Sequence, residues 1–173
     1  ELLVSFINQA ADNVKFIIAP HNIKSEQIQN LQQSITKQSI LFSEYNERTS
    51  RDLSLSEYNV FIIDTIGILT KIYSYADIAY VGGGFGNPGV HNILEPATFG
   101  IPIVIGANYS HFAEATALVG LEGCISVKNQ SELNEAFDLL LQNEDERYEK
   151  GHICSTFVQM NKGATNSILK SVL

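Results

Sequence analysis

Short apolar segments alternate with amphipathic helical patterns along the chain, and this alternation limits the possible folds most. The apolar segments predict six strands at residues 14–19, 40–42, 60–63, 77–81, 101–105 and 124–127. The first of them reads as a buried strand that Pro20 terminates. Strands that alternate with helices at this spacing predict an α/β fold, in which a Rossmann-like parallel sheet carries helices on both faces.

The intervening segments carry apolar residues at helical spacing. They predict helices over residues 2–11, 25–38, 92–99 and 145–160, and further helices that begin at Asp64-Thr65, Ser110, Ser131 and Gly163-Ala164. Asp64 or Thr65 is expected to cap a helix whose apolar stripe includes Ile66 and Leu69. Ser131 is expected to cap the helix that follows the last strand, and Leu121 is expected to point inward.

Composition excludes several function classes. With 173 residues, of which 45% are apolar, the chain has the length of one domain, so residues 1–173 are interpreted as a single domain. A net charge of -8 would repel a nucleic acid backbone. Cys124 and Cys154 have neither disulfide-framework nor zinc-site spacing, which fits a reduced cytoplasmic setting. No apolar run has bilayer-spanning length, so a soluble chain is expected.

One loop stands out between the fourth predicted strand and the next helix. The strand ends in Gly82, Gly83 and Gly84, and the loop continues through residues 85–91 before a helical pattern opens at Asn92. Glycines at the end of a strand leave room for a ligand against bare backbone. Amides at the start of a helix favour an anion. The loop is therefore predicted to bind phosphate, with possible contacts at Gly83 and Gly84.

Asn92 and Glu95 are three residues apart and share a helix face. A carboxylate at this position can accept hydrogen bonds from two neighbouring hydroxyls of a sugar ring. The same pair also fits a capping box, with Asn92 as the N-cap and Glu95 as the reciprocating third residue. The two interpretations are compatible, and both stay open on sequence alone.

Residues 84–89 also match the dinucleotide fingerprint G-x-G-x-x-G. That fingerprint requires a helix that begins within the glycines and an acidic residue about 20 positions later. Pro88 interrupts the turn, and the next strand runs into residues 106–109 without an acid. A dehydrogenase is therefore disfavoured.

Two further loops follow predicted strands, and ligands of open parallel sheets gather at such carboxyl ends. Pro20 and His21 follow the first strand, and Asp64 and Thr65 follow the third. A lone loop histidine is often only a solvent-exposed imidazole, and an Asp-Thr pair is often only an N-cap. Asn108, Tyr109 and His111 fall in a similar loop and could rim the ligand cleft, although a loop-capping role is expected for each.

Three blocks together resemble the C-terminal half of the 3-deoxy-D-manno-octulosonic acid (Kdo) transferases. They are D-T-I-G at 64–67, Y-A-D-I-A-Y-V-G-G at 75–83 and H-N-I-L-E-P-A at 91–97. The resemblance extends from residues 19–21 to residues 161–164. It implies one half of a two-domain GT-B type glycosyltransferase that transfers Kdo from CMP-Kdo to a lipid A precursor in lipopolysaccharide biosynthesis.

The resemblance also implies the site residues. Asn92 and Glu95 would hold phosphate or ribose, and Pro20 and His21 would line the CMP site. The backbone of Ile66, Gly67 and Ile68 would do so as well. Two departures from the family pattern stand out in this chain. No arginine accompanies Pro20-His21, and Ile68 replaces a glutamate that many members carry, so only a main-chain role is expected there.

The missing N-terminal domain would supply the acceptor site, the catalytic base and the membrane contact. No catalytic residue is therefore assigned, and the chain alone is expected to be inactive. The full-length protein would act at the cytoplasmic face of the inner membrane of a Gram-negative bacterium. No metal is expected, because the four histidines lack ligand spacing and no D-x-D occurs, and no cofactor is expected.

Two other classes remain open. One is a different two-domain nucleotide-sugar transferase or epimerase, which a preference for a uridine nucleotide would indicate. The other is a non-enzymatic flavodoxin-like ligand-binding domain, which flavin absorbance or a lack of nucleotide binding would indicate. Fold alone does not distinguish them.

Overall fold

The computed structural model describes residues 1–47, 54–86 and 89–163. It divides into two compact units, Glu1–Lys71 and Ile72–Leu173, which are described separately. Both units pair parallel strands and pack helices against them. The predicted α/β class is thus confirmed, with the strands distributed over two three-stranded parallel sheets.

The first unit contains a parallel sheet in the order β1-β3-β2. Its elements are α1 (Leu2–Gln9), β1 (Phe16–Ile18), α2 (Ser25–Ser34), β2 (Ser39–Leu41), α3 (Phe42–Glu47) and β3 (Val60–Ile62), with a 3-10 turn at Leu55–Glu57. Ile18 and Leu41 both align with Ile62, so the carboxyl ends of the three strands meet at one edge.

The core of this unit lies between the helices and the sheet. Ile7 of α1, Ile28 of α2 and Ile62 of β3 are buried in one cluster, as their helical or strand spacing predicts. The expectation of a buried first strand is wrong, because Phe16 and Ile18 are only half-buried and Ile17 is 44% exposed. Within the described sheet β1 pairs only with β3, and alternate side chains of such a strand point to opposite faces.

The second unit contains a parallel sheet in the order β4-β5-β6. Its strands are β4 (Ala79–Val81), β5 (Ile103–Gly106) and β6 (Cys124–Val127). Its helices are α5 (Leu94–Thr98), α6 (Ala113–Gly120), α7 (Gln130–Gln142) and α8 (Glu144–Met160). Every residue of β5 is buried, as expected for the central strand of a covered parallel sheet.

Helix ends in this unit follow the sequence signals in part. Gly100 ends α5 with a φ of 70°, which confirms the predicted glycine terminus. The predicted cap at Ser131 is wrong, because Asn129 caps α7 by accepting a hydrogen bond from the Glu132 amide. Leu121 is 53% exposed, since α6 ends one residue before it. The predicted helix at Gly163-Ala164 falls on residues 164–173, outside the described part.

The helix predicted to begin at Asp64-Thr65 is the largest error. Residues 64–68 form an irregular bend, and α4 begins only at Leu69 and spans Leu69–Ile72, before a 3-10 turn at Tyr73–Tyr75. Gly67 has a φ of 91°, which is incompatible with a right-handed helix. Ile66 is therefore not a core residue, and its side chain is 88% exposed.

Asp64 has a different capping role. Its carboxylate accepts hydrogen bonds from the backbone amide of Ser43, at 3.0 Å, and from the Ser43 hydroxyl. Ser43 is in the first turn of α3, where amide donors lack partners within the helix. Asp64 thus links the carboxyl end of β3 to the start of α3.

Candidate functional site

The glycine loop begins at the carboxyl end of β4 and folds through its own backbone. The His91 amide donates to the Gly82 carbonyl at 3.0 Å, and the Gly86 amide donates to the Gly83 carbonyl at 3.1 Å. Gly83 has a φ of 96°, which side chains disfavour. A Cβ there would also lie 2.2 Å from the Gly89 carbonyl oxygen. Asn87 and Pro88 lie outside the described residues.

Gly84 packs against the backbone of β5. A Cβ on Gly84 would lie 2.8 Å from the amide nitrogen, Cα and carbonyl oxygen of Gly106. Asn108 closes the contact, because its amide donates to the Gly84 carbonyl at 2.8 Å and its Nδ2 to the Gly86 carbonyl at 2.7 Å. The glycines therefore have a packing requirement of their own, and ligand contact at Gly83 and Gly84 stays a prediction.

Asn92 and Glu95 form a hydrogen-bonded pair at the start of α5. The Asn92 Nδ2 donates to Glu95 Oε1 at 3.1 Å, and the Asn92 Oδ1 accepts from the Leu94 amide at 3.0 Å. The N-cap position belongs to Ile93, and Glu95 contacts the side chain of Asn92 rather than its amide. The capping box predicted for this pair is therefore replaced by a side-chain pair that precedes the helix.

This pair leaves most of the Glu95 carboxylate available to a ligand. A carboxylate has about four acceptor positions, and the Asn92 bond takes one of them. The pKa of Tyr73 is raised, mainly by burial and secondly by the negative charge of Glu95. The Glu95 carboxylate therefore lies near the Tyr73 ring. Because α5 has only five residues, its dipole adds little, and a bound anion would depend on individual loop amides.

A cleft of about 220 Å³ opens beside the loop on the side of α6. Residues 90–93, Phe112, Glu114 and Ala115 line it, and Glu95 is not among them. Gly89 has a φ of 76°, and a Cβ there would lie 2.3 Å from the Phe112 ring. The sequence analysis missed Phe112 and Glu114. The signal available was their position after β5, the neighbour of β4, whose loops share one sheet edge.

The first unit brings its own predicted residues to one sheet edge. β1 and β3 are adjacent, and the Ile63 amide donates to the Ile18 carbonyl at 2.8 Å. Pro20 and His21 follow β1, and Ile66, Gly67 and Ile68 follow β3. A Cβ on Gly67 would meet no atom within 4 Å, so this bend presents open backbone. Its exposure fits a main-chain contact, which stays a prediction.

The structure thus forms two groups of predicted site residues. Pro20, His21 and residues 66–68 belong to the first unit, and Gly83, Gly84, Asn92 and Glu95 belong to the second. Their contact with a single ligand is a prediction. Residues 82–95 and 106–115 contain no lysine or arginine, whereas the loop after β1 ends at Lys24.

In the part of the chain that the structure covers, no helix is long and apolar enough to cross a membrane. No protein-family model matches the sequence.

Curated proteins and solved structures do match. The chain is 35% identical over 167 residues to 3-deoxy-D-manno-octulosonic acid transferase from Chlamydia trachomatis, which covers 92% of this chain and 36% of that protein. It is 30% identical over 128 residues to the enzyme of the same name from Haemophilus influenzae, which covers 73% of this chain and 30% of that protein.

One matching solved structure is the C-terminal CMP-Kdo binding domain of WaaA from Acinetobacter baumannii, with a TM-score of 0.75 and 18% identity. The match covers 91% of this chain and 80% of that domain, and it shows a shared fold. The chain spans about a third of the length of the curated relatives it matches. Over that third, the chain is a homologue of the 3-deoxy-D-manno-octulosonic acid transferases.

Proposed function

We propose that this chain is the donor-binding domain of a two-domain GT-B type Kdo transferase and that it binds CMP-Kdo. The observation that carries the proposal is the hydrogen-bonded Asn92–Glu95 pair at the end of the glycine loop. The backbone of that loop is held by the packing of Gly84 against Gly106 and by the hydrogen bond from the Asn108 amide to the Gly84 carbonyl. It occurs in a sequence that is 35% identical to a Kdo transferase.

In this proposal Glu95 accepts hydrogen bonds from the ribose hydroxyls, because a carboxylate suits two adjacent hydroxyl donors. Asn92 holds Glu95 in place through its Nδ2. Residues 82–95 contain no lysine or arginine, and the amides of Gly86, His91 and Leu94 already donate within the loop, so the phosphate is held by backbone amides of residues 83–85, 92 and 93. A site built from amides fits the phosphate monoanion of CMP in a sugar nucleotide.

The first unit supplies the remaining contacts to the nucleotide. Pro20 and His21 line the CMP site from the loop after β1. The exposed backbone at residues 66–68 contacts the nucleotide from the loop after β3. His21 is the polar side chain of this group, and no arginine accompanies it.

Transfer itself requires more than this chain. The donor domain positions CMP and stabilises the negative charge that grows on its phosphate as the bond to the sugar breaks. A second domain, within the greater length of the relatives, would bind the lipid A precursor, provide the base and contact the inner membrane. This chain alone is expected to bind the donor without transferring Kdo.

Calorimetric titration with CMP, and with UMP in parallel, tests the proposal. Glu95→Ala is the site variant. The chain offers a matched control, because Asn129 Nδ2 donates to Glu132 Oε1 at 3.1 Å in the same Asn-x-x-Glu spacing. Glu132→Ala removes the same type of pair from α7, remote in sequence from the loop. A lost charged hydrogen bond of about 1.5–3 kcal/mol corresponds to roughly a 10-fold to 150-fold weaker affinity.

We expect CMP to bind more tightly than UMP, and Glu95→Ala to weaken CMP binding at least tenfold while Glu132→Ala changes it less than twofold. Equal binding of UMP would replace the proposal with another nucleotide-sugar enzyme. Equal losses in both variants would show that Glu95 acts only through the stability of its helix. Absence of binding by both nucleotides would contradict a donor domain that is competent by itself.

A further inference from the structure

The cleft beside the glycine loop is distinct from the Glu95 carboxylate. Asn92 borders both: it lines the cleft, and its Nδ2 donates a hydrogen bond to Glu95, which does not line it. A donor nucleotide that places its ribose at Glu95 therefore reaches the cleft with its next chemical group. That group is the phosphate and the sugar attached to it.

The size of the cleft admits only part of a sugar nucleotide. Its volume is about 220 Å³. Pockets that enclose whole drug-sized ligands range from roughly 300 to 1,000 Å³. One sugar ring fits this space better than a complete nucleotide sugar. This agrees with a ligand whose ribose lies at Glu95 and whose sugar lies in the cleft, with Asn92 between them.

The chemistry of the walls favours hydroxyl groups over an anion. Phe112, Val90 and Ala115 give the cleft apolar sides, and Glu114 adds a carboxylate. Across the described residues the Glu114 carboxylate has no hydrogen-bond or ion-pair partner, and neither lysine nor arginine lines the cleft. A carboxylate in this setting accepts hydrogen bonds from hydroxyls and repels a second carboxylate.

We propose that the cleft between residues 90–93 and residues 112–115 binds the sugar of the donor, with Glu114 accepting hydrogen bonds from its hydroxyls. This inference rests on the proposed function, because the sugar reaches the cleft only if CMP occupies the Asn92–Glu95 side. Kdo is a sugar acid, so its hydroxyls face Glu114 and its carboxylate points away. Glu114 is thereby a specificity-determining residue rather than a part of the CMP site.

Hydroxyl binding and simple charge repulsion predict opposite effects at this position. Removal of a negative charge near an anionic ligand strengthens binding if only Coulomb repulsion operates. Removal of a hydrogen-bond acceptor from sugar hydroxyls weakens it. CMP lacks the sugar, whereas CMP-Kdo carries it, so the two ligands separate the contributions.

The test is a calorimetric titration of the chain with CMP and with CMP-Kdo, comparing wild type, Glu114→Gln and Glu114→Ala. Glu144→Gln is the matched control. Glu144 is also an exposed glutamate in the first turn of a helix, so this substitution removes the same charge far from the cleft in sequence. We expect both Glu114 variants to bind CMP-Kdo about tenfold more weakly and CMP within twofold of wild type. Glu144→Gln should match wild type with both ligands.

Three results would overturn the inference. Unchanged or tighter CMP-Kdo binding in the Glu114 variants, with CMP binding intact, would refute the sugar site and leave the proposed function standing. Equal weakening of CMP and CMP-Kdo would place Glu114 in the CMP site instead. If wild type binds neither ligand, the proposed function fails and the sugar site fails with it.

Discussion

Substitution of Gly84 by alanine is expected to destabilise the second unit, because Gly84 packs backbone to backbone against Gly106. The new Cβ would lie 2.8 Å from three backbone atoms of Gly106. No flexible side chain is available to move aside, and β5 is paired with β4 on one side and β6 on the other. The strand therefore cannot shift without loss of ladder hydrogen bonds.

The magnitude follows from two opposing effects. Overpacking costs roughly 1–3 kcal/mol, and a contact with fixed backbone belongs near the upper limit. Replacement of glycine by alanine recovers about 0.4–1 kcal/mol through the smaller entropy of the unfolded chain. The net loss in the free energy of unfolding is about 2 kcal/mol. With an m-value of about 2 kcal/mol/M, the urea midpoint falls by about 1 M.

Urea denaturation followed by far-UV circular dichroism measures this shift, with Gly120→Ala as the control. Gly120 lies in α6, and a Cβ there would meet no atom within 4 Å. Because alanine favours helix over glycine by about 1 kcal/mol, Gly120→Ala should raise the midpoint or leave it unchanged. A Gly84→Ala midpoint within about 0.2 M of wild type would refute the packing argument.

Three further predictions concern helix caps and titrating groups. Asn129→Ala should lower the free energy of unfolding, measured by urea denaturation, by about 1 kcal/mol, because it removes the cap of α7. Ser131→Ala should change it by less than about 0.5 kcal/mol. A larger loss in Ser131→Ala than in Asn129→Ala would restore Ser131 as the cap. Lys37 Nζ lies 2.8 Å from the Asp12 carboxylate and lowers the pKa of that carboxyl below its ordinary value of 3.8. The pair therefore stabilises the fold above this pH, and its contribution disappears as the pH falls through the lowered pKa. NMR titration should show a higher Asp12 pKa in Lys37→Ala than in wild type, and an unchanged pKa would exclude the pair. Cys124 and Cys154 are both buried, and burial raises the pKa of both thiols, that of Cys154 to about 12. Neither cysteine should therefore react with a thiol reagent in the native protein at pH 8. Labelling of either thiol before urea unfolds the protein would contradict this burial.

The periodic segments were predictable from sequence because their local and tertiary preferences agree. The apolar run at 103–105 became a fully buried central strand, and Leu133 and Leu140 of α7 point into the core at the predicted spacing. Gly100 terminates α5 as its position indicated. These elements require no information from distant parts of the chain.

The bend at residues 64–68 was not predictable by the same reasoning. Asp64 and Thr65 have the residue types of an N-cap, and Ile66 and Leu69 have helical spacing. Asp64 instead accepts hydrogen bonds from Ser43, and Gly67 takes a positive φ. A capping residue can serve a helix other than its own, and sequence spacing does not reveal such a contact.

The candidate site was predictable in its loop but not in its full extent. Asn92 and Glu95 were recognised because they are close in sequence, and they are hydrogen-bonded in the structure. Glu114 was missed because the pairing of β4 with β5 brings its loop to the same sheet edge across a separation of about 20 residues. The packing role of Gly84 was not predicted from sequence either, because Gly84 contacts the backbone of Gly106, which is distant in sequence but adjacent in space.

The central claim is that the chain binds CMP at the glycine loop and the Asn92–Glu95 pair, and amide NMR spectra of the chain recorded during a CMP titration test it most directly. The account predicts that the amides of residues 83–84 and 92–95 shift together, with one dissociation constant, while amides in α7 stay unchanged. CMP binding that leaves these amides unshifted, or no CMP binding at all, would contradict the donor site.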